Sequence, residues 1–112
     1  MDISRVLSKL RSDEELSDLT LEGSDGEQIK TNRCILAVRS RVFRAMLFEN
    51  YSEKKNVVVK VEYEGRVLKA IVDYCYTNYT PLFDETTCDD SWARAMVRLA
   101  DAADFFGFSL LR

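Results

Sequence analysis

Histidine is absent from the 112 residues, proline occurs once, and there are only four glycines and three cysteines. Without an imidazole, Ser-His-Asp and Cys-His nucleophilic sites, His-ligated zinc and histidine general-base catalysis are excluded by composition. Cys34, Cys75 and Cys88 form an odd set with no C-x-x-C spacing. Cys34 and Cys75 lie among apolar residues, where buried, inert thiols are expected, whereas Cys88 lies in a polar stretch. Long apolar runs are also missing: Val57-Val58-Val59 and Leu110-Leu111 fall far short of the roughly 20 residues that cross a bilayer. Met1-Asp2 opens no charged-then-apolar leader, so an intracellular, soluble protein is expected, with no membrane contact.

Excess positive charge is lacking as well. The net charge is −3 and the basic residues are scattered, so the electrostatic footprint of a nucleic-acid binder is missing. There is no Gly-rich phosphate loop and no nucleophile elbow. The carboxylates Asp13-Glu14-Glu15 and Asp84-Glu85 lack the alternating oxygen ligands and central glycine of a calcium loop. No catalytic, cofactor or metal site is expected. What remains is 46% hydrophobic and 31% charged, the balance of one ordinary globular domain over residues 1–112.

Periodicity gives the element order. Ile3, Val6, Leu7 and Leu10 fall at i, i+3, i+4 and i+7, an apolar stripe on a short helix about residues 2–11, with Asp2 as its cap and Ser4, Arg5, Lys9 and Arg11 on the other face. Ser12-Asp13-Glu14-Glu15 has capping-box spacing and can open one more turn before Leu16. Asp18–Glu22 and Gln28–Thr31 alternate in period two around Gly23-Ser24-Asp25-Gly26, which predicts a β-hairpin. Asn32 can cap a helix carrying Ile35, Leu36 and Val38, and Ser40 a second with Phe43, Met46 and Leu47 inside, the pattern breaking from Glu49 to Lys55. Asn56–Val61 reads as a strand covered on both faces. Val67, Leu68, Ile71, Val72 and Cys75 mark a helix that ends at Thr77–Pro81. Trp92, Met96, Leu99, Ala103 and Phe106 line the inner face of a long helix from about Ser91, with Arg94, Arg98, Asp101 and Asp104 on its far side and Gly107 as its stop. The fold class is therefore α+β: a small, mostly three-stranded sheet under a cluster of five to six helices.

Three segments in combination, Ser17–Leu21, Cys34–Met46 and Ile71–Thr77, followed by Leu99-Ala100-Asp101, resemble the BTB/POZ family from end to end. Two departures are visible. Asn32-Arg33 stands where the family usually has His-Lys or His-Arg, and Asn78 where Gly is common after Tyr-Thr. The chain also stops soon after the long helix, without the helical extension of many relatives.

The resemblance implies an interaction domain. One surface in the family is a self-association face built from the N-terminal helix and its neighbours, with an acidic and a basic residue at its floor. These map onto Ile3, Val6, Leu7, Leu10, Asp18 and Arg33, and the implied partner is a second copy of the chain. A second surface, in relatives that act as adaptors of ubiquitin ligases, binds the N-terminal domain of a cullin scaffold through a hydrophobic-x-Glu motif after the Phe-x-x-Met helix. Tyr51-Ser52-Glu53 stands in that register, five residues on from Met46. The alternative is a self-association module, such as one serving a transcription regulator, with no cullin contact.

Overall fold

The hairpin at the centre of the fold consists of β1 (Leu19–Glu22) and β2 (Gln28–Thr31), paired antiparallel with Leu21 opposite Ile29. In the computed structural model, which describes residues 2–50, 56–84 and 89–108, a third strand, β3 (Val57–Lys60), lies parallel to the other side of β1, with Leu21 opposite Val59. The sheet order is β2-β1-β3. Around it stand α1 (Ile3–Ser12), α2 (Arg33–Arg39), α3 (Arg41–Asn50), α4 (Gly65–Thr77) and α5 (Asp90–Phe106), with single 3₁₀ turns at Glu14–Leu16 and Pro81–Asp84. This is the α+β architecture expected from the periodicity.

Among the described residues, helices cover one face of the sheet. Leu19, Leu21, Val57 and Val59 point into the helical layer and are buried, whereas Val58 is 56% exposed. The expectation of a strand covered on both faces is thus corrected. Three consecutive valines supply β-propensity at every position, but the two-residue period sends the middle one to solvent. The same inner layer holds Leu36, Phe43, Leu47, Val67, Leu68, Ile71, Val72, Leu99 and Phe106, all essentially inaccessible. Phe43 of α3 and Phe106 of α5 stack with ring centroids 4.2 Å apart.

Helix ends follow local chemistry in part. The Asp2 carboxylate accepts from the Ser4 N–H at 3.0 Å, and the Ser40 hydroxyl accepts from the Phe43 N–H at 3.2 Å while donating to the Phe106 carbonyl at 2.7 Å. Asn78 closes α4 in the left-handed region at φ 62°, and Gly107 closes α5 at φ 82°, with the Phe108 N–H returning to the Ala103 carbonyl at 2.7 Å. Asparagine serves at the first site because it tolerates this conformation better than other residues with a Cβ.

Other ends differ from expectation. α3 runs on through Glu49 and Asn50, beyond the last residue of its apolar stripe, because backbone hydrogen bonding can extend a helix past its buried face. Asp13, not Ser12, caps the turn before Leu16, accepting from the Glu15 N–H at 3.0 Å. Asn32 makes no side-chain cap for α2. That donor is met instead by Asp18, fifteen residues earlier, whose carboxylate accepts from the Arg33 N–H at 2.8 Å. α4 is opened in the same way: the Asp25 carboxylate, from the hairpin turn, accepts from the Gly65 N–H at 3.1 Å. At that crossing the chain passes so close that a Cβ on Gly23 would stand 2.8 Å from the backbone of both Tyr63 and Gly65.

Candidate protein-interaction face

The N-terminal helix is amphipathic, yet it buries nothing fully. No residue of α1 is inaccessible; Ile3 is 67% and Val6 40% exposed, while Leu7 and Leu10 are half-buried, Leu7 against the core. Leu16, in the following turn, adds a further exposed apolar side chain. A ten-residue helix is marginal by itself in water, and this one leaves half of its apolar stripe uncovered.

Asp18 and Arg33 are brought together at the start of β1 and of α2. The Asp18 carboxylate accepts from the Arg33 backbone and also faces the Arg33 side chain, Nε to Oδ2 at 3.6 Å. The Arg33 side chain is 9% exposed and that of Asp18 43%. The pair is therefore buried on its cationic side and partly open on its anionic side in the single chain.

Beside it lies a polar network that the periodicity of the sequence does not reveal. The Tyr76 hydroxyl of α4 bonds to the Thr31 hydroxyl at 3.0 Å, accepts from the Asn32 N–H at 3.1 Å and donates to the Asn32 side-chain carbonyl. The Asn32 amide donates in turn to the Leu16 carbonyl at 2.8 Å. Thr31, Asn32 and Tyr76 are all buried, so each bond replaces water that is excluded. Arg11, expected on the outer face of α1, turns inward: its guanidinium pairs with Asp73 and lies over the Tyr76 ring. The signal for this was its place four residues after Leu7, on the same side of the helix.

The cysteines divide differently from expectation. Cys75 is buried in α4, and burial pushes its thiol up to about 12, against a smaller opposing influence of Arg39 and Arg11. Cys34 is exposed, a correction: its neighbours Ile35 and Leu36 are apolar, but the helical period turns Cys34 away from them. Cys88 and the motif Tyr51-Ser52-Glu53 lie outside the described residues. At pH 8, Cys34 is expected to react with a thiol reagent within minutes and Cys75 only on unfolding; labelling read by mass spectrometry checks this, and equal rates would contradict the burial. The raised thiol contributes stability that is complete below its ordinary value of 9.0 and is lost as pH rises towards 12, so alkaline unfolding should be shallower for Cys75→Ala.

Among the described residues no group of three or more Asp, Glu or Cys is placed to hold a metal ion, and no helix is long and apolar enough to cross a membrane. The described residues form a three-stranded sheet under a helical layer, with an amphipathic N-terminal helix whose apolar stripe is half exposed. The family model for the BTB/POZ domain matches residues 7–109. BTB/POZ and MATH domain-containing protein 6 of Arabidopsis thaliana is 30% identical over 111 residues, covering 83% of this chain and 26% of that protein. Human Kelch-like protein 2 is 36% identical over 74 residues, covering 65% of this chain and 12% of that protein. Among solved structures, the BTB domain of human Gigaxonin superposes with a TM-score of 0.67 at 25% identity, covering 93% of this chain and 76% of that one. The chain belongs to the BTB/POZ family. It spans about a quarter or less of the length of these curated relatives.

Proposed function

We propose that this domain homodimerises through α1 and serves as an adaptor that recruits a cullin scaffold of a ubiquitin ligase. The observation that carries the first half is the half-uncovered stripe of α1: Ile3 and Val6 are apolar, adjacent in space and open to solvent. A second copy would cover them reciprocally, the same patch on both partners, as a two-fold interface requires. Leu7 and Leu10 then form the inner rim of the interface, and Asp18 and Arg33 its polar floor, where an ion pair acts to specify geometry rather than to add stability.

The second half is supported by sequence register. In Tyr51-Ser52-Glu53 an apolar anchor precedes a carboxylate by two residues, a spacing that can fill a pocket and cap a helix N-terminus on the partner. Light scattering, with and without a cullin N-terminal domain, tests both halves in one experiment. The wild type is expected at twice the chain mass, increasing on addition of the cullin domain. Ile3→Asp with Val6→Asp should give the monomer mass. Tyr51→Ala with Glu53→Ala should keep the dimer and lose the cullin complex. A monomeric wild type rejects self-association. Equal cullin affinity in the wild type and the Tyr51/Glu53 variant rejects the motif, and a dimer indifferent to cullin leaves a self-association module alone.

A further inference from the structure

The helix that bears the exposed stripe is fastened at one end. Among the described residues Leu7 of this helix packs against the core, and in the last turn Arg11 reaches across to α4. Its guanidinium pairs with the Asp73 carboxylate and lies 5.3 Å from the centroid of the Tyr76 ring. Both receiving groups are held from behind. The second oxygen of Asp73 accepts from the buried Thr80 hydroxyl at 3.4 Å, and the Tyr76 hydroxyl is anchored to Thr31 and Asn32. The same network fixes the Leu16 carbonyl, on the turn that leads out of α1.

We infer that Arg11 is the positioning residue of the self-association face, holding α1 at one angle so that Ile3 and Val6 are presented as an ordered stripe. The inference rests on the self-association proposed above. The physical basis is pre-organisation. The Arg11 and Asp73 side chains are 26% and 13% exposed, so their attraction is weakly screened, and the planar guanidinium gains a second contact on the Tyr76 face that an ammonium makes less well. A helix released from this clamp is short enough to fray. A dimer needs two ordered copies, so if each is ordered only about a third of the time, the apparent dissociation constant rises about tenfold.

The test combines sedimentation equilibrium with hydrogen exchange on Arg11→Met, which keeps the apolar stem, and on Arg11→Lys, which keeps the charge. Arg11→Met is expected to weaken the dimer about tenfold, or about 1.4 kcal/mol. It should also speed exchange of the α1 amides severalfold while the α4 amides stay protected, and Arg11→Lys should fall between Met and wild type. A dissociation constant within twofold of wild type, or exchange rising equally in α1 and α4, overturns the clamp. If Ile3→Asp with Val6→Asp also leaves the mass unchanged, self-association through α1 has failed; if that variant is monomeric while Arg11→Met behaves as wild type, only the clamp has failed.

Discussion

Replacing Phe106 with alanine is expected to lower the melting temperature by on the order of 15–25 °C, from a loss of about 4 kcal/mol. Three contributions fall together at this residue. Its ring is wholly inaccessible and stacks on Phe43, so truncation leaves a cavity between α3 and α5 as well as losing buried area. Tyr63 and Phe105 meet the same ring from other directions, at centroid separations of 6.2 and 5.0 Å, and hold the wall of that cavity apart. The Phe106 carbonyl also accepts the Ser40 hydroxyl, so any shift of the helix end loosens the α2–α3 corner. Phe106→Leu, which refills part of the volume, should recover about half of the loss. Thermal melts at one fixed protein concentration check this, since the proposed dimerisation would make the melting temperature concentration-dependent. A change under 5 °C for the alanine variant would show that the stacked pair is not central to the core.

The second large effect is expected at Asp18, where alanine should cost about 3 kcal/mol and asparagine about half of that. The carboxylate does two jobs at once: it caps α2 by accepting from the Arg33 N–H, and it faces the buried Arg33 side chain. Asparagine keeps an oxygen for the cap and loses the charge, whereas alanine loses both. The ion pair contributes less than a fully buried pair would because Asp18 remains 43% exposed. Urea titration of the two variants separates the jobs: equal midpoints for alanine and asparagine would show that the cap contributes nothing. In the proposed dimer, Asp18→Asn with Arg33→Gln should in addition give mixed masses by light scattering. An unchanged mass and melting profile would remove the pair from the interface.

Much of the fold was legible because hydrophobic period is a local property. The stripe Trp92, Met96, Leu99, Ala103 and Phe106 lies on the inner face of α5, and Val67, Leu68, Ile71, Val72 and Cys75 are all buried in α4, as their spacing requires. Ser40 and Gly107 act where local chemistry places them. The failures have a common cause. Val58 and Cys34 look buried from the company they keep in sequence, but a strand or helix turns alternate neighbours to opposite sides, and which side faces protein depends on what packs there.

The candidate site divides along the same line. Ile3, Val6, Leu7 and Leu10 could be read as one apolar stripe from four spacings, and Asp18 and Arg33 could be singled out by resemblance. The exposure of half that stripe, the inward turn of Arg11 and the buried network around Tyr76 could not. By itself the amino-acid order determined the helices, the hairpin and the α+β class, which depend on residues within a turn or two of one another, and the composition excluded histidine chemistry. Only the tertiary structure decided that β3 runs parallel beside β1, and that Asp18 and Asp25 open helices 15 and 40 residues away. A hydrogen-bond donor at a helix start must be satisfied, but any acceptor that the folded chain brings within reach can satisfy it.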